Sequence, residues 1–502
     1  MRDWLDPLFE AAEMRAADAW AIDEQGVPSL DLMERAGVGL ARVAVPEARP
    51  GPVRVVVGKG NNGGDGLVVA RLLREDGYEV DVLAAADLGE LRGDARANLE
   101  RLPGSPPEPF APERLHGSGV VVDALLGTGF EGSPREPLAS AIAAMNARES
   151  PVVACDVPSG VNASSGEVEG EAVRAAATAT FHGPKLGLYV EPGKSHAGHV
   201  ETVEIGIPRG APGAARAGLI SERVLELFPR RARSGTKFAS GVVVVAGGSL
   251  GLTGAPTMAA RSAQRAGAGY VQVAVPGPVQ PAVDLRLLEQ MSRGLPDADG
   301  FHTPQGVQVV EEMAARAGAV VLGPGLGRDE GAQAFARGVV SAVEAPLLVD
   351  ADGLNGHAGR LDLFREREAP TVLTPHEGEL GRLLELDSQE VARHRLAYAR
   401  EAAERSGAVV LLKGDDTIVA LPGGEVAVSP GGTPALATAG TGDVLSGLIG
   451  ALLAKRLDAF EAACLGTVAH VLAARTAGHR LGPDHVMAGD VIDALPHGLT
   501  LR

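Results

Sequence analysis

Val53-Arg54-Val55-Val56-Val57-Gly58-Lys59-Gly60-Asn61-Asn62-Gly63-Gly64-Asp65-Gly66-Leu67 decides how this chain folds. The first five residues are a β-branched run with little alternation, the signature of a strand buried on both faces. A glycine-rich turn follows at once, and a helical pattern runs from Leu67 to Leu73. A buried strand that turns directly into a helix predicts a parallel sheet covered by helices. The flanking sequence repeats the unit. Residues 10–45 place apolar side chains at helical spacing, broken at Val27-Pro28. Val80–Leu83, Val120–Leu126 and Val152–Asp156 read as further strands, the last ending at Pro158-Ser159-Gly160.

Around Pro208 the texture changes. Residues 208–218 are rich in Gly, Ala and Pro and lack periodicity, so a linker is expected there. The strand–turn pattern then restarts at Val242–Val245, Val271–Val275, Val320–Leu322, Leu347–Val349 and Val409–Leu412. No motif or fixed period relates the halves. Two α/β domains are therefore expected, over residues 1–212 and 220–502, in line with a length of 502 residues.

Composition excludes several classes. A net charge of −18 and 3% aromatic residues oppose nucleic-acid binding, which needs basic surface and stacking rings. The two cysteines, Cys155 and Cys464, lie far apart, which rules out a disulfide framework or a cysteine metal site. No apolar stretch approaches the roughly 20 residues of a membrane span, and the acidic start lacks a signal region, so a cytoplasmic protein is expected.

Ligands of open parallel sheets bind beyond the carboxyl ends of the strands. In the first half, the glycines at 58–66 free helix N–H groups for an anion, and Asn61, Asn62 and Asp65 add side chains to that loop. Asp123 leads into a second glycine-rich turn, Gly127-Thr128-Gly129-Phe130-Glu131-Gly132-Ser133. Asp123, Asp156, Asn62 and Ser159 are oxygen donors suited to a hard cation such as K⁺. Taken singly, Asp123 and Asp156 read equally well as caps of the turns that follow them.

These pieces, with Glu13-Met14-Arg15, Leu32-Met33-Glu34-Arg35-Ala36-Gly37 and Phe181-His182-Gly183-Pro184-Lys185, resemble over residues 10–210 the epimerase domain of the bifunctional NAD(P)H-hydrate repair enzymes, the YjeF-type family. The resemblance implies a Rossmann-like doubly wound sheet. It puts Asn61, Asn62, Gly63, Gly64, Asp65, Gly127–Ser133 and Asp156 on the hydrated nucleotide. It puts Asn62, Asp123 and Ser159 on K⁺. Interconverting the R and S hydrates at C6 needs a positioned acid/base, for which Asp156 stands first and Asp65 second. Lys185 reads either as a group that orients Asp156 or binds phosphate, or as a solvated surface lysine.

In the second half, Gly440-Thr441-Gly442-Asp443 opens an apolar helix. The helix N-terminus offers an anion hole with a carboxylate beside it, a phosphoryl-transfer arrangement in which the Asp takes the attacking hydroxyl's proton. Val321-Leu322-Gly323-Pro324-Gly325-Leu326-Gly327, Asp350-Ala351-Asp352, Thr374-Pro375-His376-Glu377-Gly378-Glu379 and Leu411-Leu412-Lys413-Gly414-Asp415-Asp416-Thr417 end other strands. Together these resemble, over residues 230–495, the ribokinase-like dehydratase half of the same family.

That resemblance implies that the hydrate meets Ala255, Gly325, His376, Glu377, Gly378, Glu379, Leu380, Gly381, Arg382 and Asp443, with Asp443 catalytic. It puts ADP or ATP on Lys413, Gly414, Asp415, Asp416 and Thr417. It also puts the nucleotide on Thr433, Pro434, Ala435, Leu436, Ala437, Thr438, Ala439, Gly440, Thr441 and Gly442, with Mg²⁺ on its phosphates. The family has Asn and Gly where this chain has Thr433, Ala435 and Ala439. The implied substrates are NADHX and NADPHX, and a homo-oligomer is expected. Two rivals remain open at this point. One is a small-molecule kinase of the ribokinase-like family fused to a nucleotide-binding module. The other is a sensing or protein-binding module without turnover.

Overall fold

A computed structural model describes residues 2–212 and 215–501. Gly213 and Ala214, in the expected linker, lie outside the described residues. The chain forms two compact units. One is Pro7–Gly218. The other joins Arg2–Asp6 to Leu219–Arg502.

The first unit is built on a seven-stranded sheet. In spatial order its strands are Glu108–Pro109, Val80–Ala84, Val53–Val57, Val120–Ala124, Val152–Cys155, Ala177–Phe181 and His199–Val203. Every pairing is parallel. Strand order reverses between Val53–Val57 and Val120–Ala124, the switch point of a Rossmann-type sheet. Val55, Val57, Val122 and Val153 are fully buried and pack with helix residues Leu67, Val69 and Leu40.

The helix after the first valine run begins at Asn61 and ends at Glu75. The sequence suggested a turn as far as Gly66, but Asn61–Gly66 are already helical. A helix this early must lie close to the strand end, which only small residues permit: a Cβ on Gly63 would stand 2.2 Å from the Gly58 carbonyl oxygen. Helices Ala11–Asp23 and Ser29–Glu47 divide where Val27-Pro28 was read as a break.

In the second unit, Leu347–Val349, Ala319–Leu322, Val242–Ala246 and Tyr270–Pro276 form a parallel centre with Thr371–Leu373 and Val409–Leu412. Met291–Leu295 extends it at one edge. At the other, Ile418–Ala420 and Val426–Val428 turn antiparallel, and Ala217–Ile220 and Leu5–Leu8 complete eleven strands. The strand at Ala217 starts inside the stretch read as linker. Helix Thr441–Ala454 is apolar on every side and almost wholly buried, as expected for a helix enclosed by sheet and neighbouring helices. No described helix is long and apolar enough to cross a membrane. Cys155 and Cys464 are both free and buried.

Candidate active sites

In the first unit the strand ends open on a cavity of about 1240 Å³. Asn61, Asn62, Asp65, Gly127, Thr128, Gly129, Phe130, Glu131, Asp156 and Lys185 all line it. Gly63 and Gly64 pack against Gly58 and against Ala95 and Met33 rather than lining it. Gly132 and Ser133 run on beside Glu169 and Gly170.

Asp156 follows strand Val152–Cys155 in the left-handed region, with φ at 66°, a conformation unfavourable for an aspartate and concentrated at functional positions. Its carboxylate is held from several sides. Lys185 Nζ donates to Oδ1 at 2.5 Å, the Thr128 hydroxyl donates to Oδ2, and the Phe181 N–H donates to Oδ1 at 3.3 Å. Burial raises this acid, but the Lys185 ammonium and these donors outweigh it and hold the carboxyl below its usual range. Lys185 is itself 1% exposed and gives a further bond to the Phe181 carbonyl at 2.7 Å. The surface reading of this lysine is therefore wrong. It is a buried cation aimed at Asp156.

Asp65 is shifted the other way. Burial, then the Asp156 and Asp18 charges, push it well above the carboxylate range. Two carboxyl groups on one cavity, one with its proton affinity lowered and one with it raised, are the raw material of paired base and acid. Asp18 was not singled out in the sequence, although Met14, Asp18 and Ile22 recur at helical spacing and line the cavity together. Its carboxyl is raised by burial and Asp156, against Lys185.

Asn62, Asp123 and Ser159 meet beneath this floor. The Ser159 hydroxyl and N–H donate to the two Asp123 oxygens at 2.6 and 2.8 Å, and Asn62 Nδ2 donates to the Leu126 carbonyl at 2.8 Å. Asp123 also accepts from the Leu125 N–H at 3.3 Å, so the capping role is real alongside any other. Asp123 is fully buried, and its carboxyl is pushed by burial to about 6 against those neutral donors. No cationic side chain pairs with it among the described residues. A buried carboxylate among neutral oxygens, without a basic partner, fits a weakly hydrated monovalent cation. The described residues hold no group of three or more His, Cys, Asp or Glu that could take a metal.

In the second unit, Gly440 turns at φ 92° and Thr441, Gly442 and Asp443 form the first turn of the buried helix. Lys413 Nζ lies 2.8 Å from Asp350 Oδ1 and 3.6 Å from Glu379 Oε2, and the Ser446 hydroxyl donates to the other Asp350 oxygen at 2.6 Å. Asp443 faces this cluster without bonding the lysine. Burial and the Asp350 charge, then Asp352 and Glu379, raise it to about 7 against Lys413. His376 caps helix Glu377–Leu384 and accepts from the Gly378 N–H at 3.0 Å, while Glu379 reaches back to the His376 N–H at 2.9 Å. Burial, against Glu379, lowers the His376 pKa, so it acts here as an acceptor. Gly325 lies against Leu252 and Ala255. Arg382 reaches Asn355 at 2.6 Å.

Not every residue indicated by sequence faces open space. Asp416 is 1% exposed and pairs with buried Arg395 at 2.9 Å, Thr417 bonds the Gly414 carbonyl at 2.7 Å, and Leu380 and Gly381 are buried behind their helix. These residues shape the turns. Asp415 accepts from the Gly432 N–H at 2.8 Å, tying the 413–417 turn to the 431–442 loop. In that loop Thr433 caps the short turn Pro434–Leu436, Ala435 is buried in the core, and Ala437, Thr438 and Ala439 are exposed. Sequence reading missed buried His302, which bonds the Gly247 carbonyl at 2.9 Å and stacks on Phe335. A lone histidine in the two-residue strand Phe301–His302 carries no spacing signal.

Known proteins match both halves. The family model described as NAD(P)H-hydrate dehydratase matches residues 243–497, and that of the YjeF-related protein N-terminus matches residues 29–187. The bifunctional NAD(P)H-hydrate repair enzyme Nnr of Salinibacter ruber is 40% identical, over 98% of this chain and 95% of its own length. The protein of the same name from Moorella thermoacetica is 39% identical, over 98% and 96%. Among solved structures, the ADP/ATP-dependent NAD(P)H-hydrate dehydratase of Bacillus subtilis, co-crystallised with ATP/Mg²⁺, is 29% identical at a TM-score of 0.48, over 55% of this chain and 95% of that one.

Proposed function

The chain belongs to the family of bifunctional NAD(P)H-hydrate repair enzymes, and on that premise we propose how its two sites divide the work. It epimerises NAD(P)H hydrates in its first unit and dehydrates them in its second. The observation that carries the assignment of residues is that each unit sets a carboxyl group of shifted proton affinity at the open end of its sheet. Those groups are Asp156 with Asp65 in one and Asp443 in the other.

In the epimerase site Asp156, ionised and steered by Lys185, takes the C6 hydroxyl proton as the C6–N1 bond opens to a carbonyl and N1 gains a proton; reclosure on the other face of C6 reverses both transfers. Asp65 is the protonated partner. Asn61 with Gly58, Gly60, Gly127 and Gly129 holds phosphate at the helix N-terminus. Asn62, Asp123 and Ser159 would hold K⁺, whose charge would offset the buried Asp123 carboxylate.

In the dehydratase site Asp443 takes the proton of the C6 hydroxyl. The freed oxygen attacks the terminal phosphoryl of ADP or ATP, and AMP or ADP departs. The C6–O bond then breaks with phosphate leaving, driven by the ring nitrogen lone pair. Loss of a C5 proton restores the dihydronicotinamide. The N–H groups at Thr441–Asp443 and Lys413 face the charge that develops on the phosphoryl group. Mg²⁺ would arrive on the nucleotide phosphates. Asp350, Glu379 and Asp443 stand about Lys413, so the surroundings of those phosphates are net negative and suit a cation carried in by the nucleotide rather than held by a protein cage. The reading also carries a cytoplasmic location and a homo-oligomer, the latter checked by light scattering.

The test is recovery of reduced-nicotinamide absorbance from mixed R and S hydrates with ATP or ADP and Mg²⁺. Full recovery is expected, falling to the S share in Asp156→Ala and to none in Asp443→Ala. A stable phosphorylated product would instead identify a kinase, and no turnover at either site would identify a binding module.

A further inference from the structure

We infer that the first unit holds its hydrated dinucleotide across the sheet with the adenosine ribose at the end of strand Val80–Ala84, and that acidic residues there select NADHX over NADPHX. The inference rests on the epimerase reading above and adds an orientation and a preference to it.

Three observations converge. Gly58-Lys59-Gly60-Asn61-Asn62-Gly63 has the G-x-G-x-x-G form, follows the strand beside the switch point, and opens helix Asn61–Glu75. That combination puts a pyrophosphate over the helix N-terminus. The order of strand ends along the cavity is Ala84, Val57, Ala124, then Cys155 just before Asp156. With strands spaced about 4.8 Å apart, Asp156 and the end of Val80–Ala84 stand roughly 14 Å from each other, with the helix N-terminus between them. A dinucleotide whose nicotinamide reaches Asp156 therefore extends its adenosine half to the other end.

At that end the cavity is lined by Lys59, Ala85, Ala86, Asp87, Glu90 and Asp94. Among these six residues Lys59 is the one cation, and it already pairs with Glu90 at 2.7 Å, while Arg92 on the same turn donates to the Gly89 and Leu91 carbonyls at 2.9 Å. Asp87 stands three residues beyond the strand, where dinucleotide-binding folds place the acid that accepts the ribose 2′-hydroxyl. A 2′-phosphate there would meet the Asp87 and Asp94 carboxylates beside the exposed Lys59–Glu90 pair, an excess of negative charge. Rejection by like charge is a means of specificity as effective as attraction.

The test uses the full chain without ADP or ATP, so that only R/S interconversion is read, by chromatography of each hydrate. The expected kcat/KM for NADHX exceeds that for NADPHX by roughly tenfold or more, in KM rather than kcat. In the double variant Asp87→Asn, Glu90→Gln, efficiency with NADPHX rises and efficiency with NADHX falls, narrowing or inverting the ratio. Asn keeps the capping bond that Asp87 accepts from the Gly89 N–H, and a misfolded site would lose both substrates together. Equal efficiencies in the unaltered protein, or a ratio unmoved by the double variant, overturn the inference and leave the epimerase reading intact. Failure to interconvert either hydrate overturns the epimerase reading instead.

Discussion

In the first unit a buried lysine bonds the candidate base itself; in the second a partly exposed lysine bonds that base's neighbour. Lys185 touches Asp156, and the Asp156 carboxyl lies below its usual range. Lys413 touches Asp350, and Asp443, left facing the acids, rises to about 7. The difference matches the two tasks. A reversible exchange between R and S needs a base that is always ionised, with the acid supplied by a second group. A hydroxyl that must become a nucleophile needs a base whose affinity approaches that of its surroundings at neutral pH, so that it accepts the proton readily.

The largest effect that would break this contrast is at Asp443. Asp443→Ala should lower dehydration by roughly a thousandfold or more while R/S interconversion in the same preparation persists. Loss of both activities would show that the units do not work independently. Next comes Lys185→Met, which leaves Asp156 buried and unpaired. Stability of the first unit should drop by about 3–5 kcal/mol in urea titration, with interconversion lost, because removing one partner strands the other charge.

The contrast sharpens through pH. In the proposed role Asp443 acts when ionised, and its affinity is raised, so dehydration should climb as pH passes through about 7 and level off above it. Interconversion, resting on a lowered Asp156, should lose no activity from this group between pH 5 and 8. Lys413→Met removes the one cation that opposes the raising of Asp443, and should move the dehydration midpoint to higher pH by about one unit. The smallest effect is expected at Asp123→Asn. It keeps a polar side chain but removes the charge, so the response of interconversion to K⁺ should flatten, with the dehydration rate unchanged.

The central strands were readable because each is a run of valine and leucine ending in glycine or aspartate. Ala177–Phe181, Ala-Thr-Ala-Thr-Phe, is buried throughout yet has no apolar run, since Thr178 spends its hydroxyl on the Ala197 carbonyl at 2.6 Å. His199–Val203 and Met291–Leu295 are half-exposed edges with no pattern. The antiparallel extension left a trace in Pro422-Gly423-Gly424, where both glycines take positive φ, but a hairpin after a parallel strand was not anticipated. In the candidate sites, the motif residues stood out because polar side chains gather in or beside glycine-rich turns at strand ends. Asp18 was not, because it sits in an ordinary helix and matters only through what the fold brings near it. The direction of each proton shift was also hidden. It depends on which carboxylate a lysine reaches, and sequence separations of 29 and 63 residues do not reveal that.

Residues Arg2–Asp6 fold with the second unit, although the whole first unit separates them from it in sequence. Arg2 pairs with Glu425 at 2.8 Å and lies 4.4 Å above the Phe460 ring, while Trp4 and Leu5 are buried in that unit's core. On the ribosome, Arg2 must therefore wait for a partner synthesised more than 400 positions later. The first unit is, in genetic terms, an insertion between a strand and the body it belongs to. Cutting the gene at the linker would leave that strand on the wrong fragment. A self-sufficient second half would need residues 2–6 restored by circular permutation or supplied as a peptide.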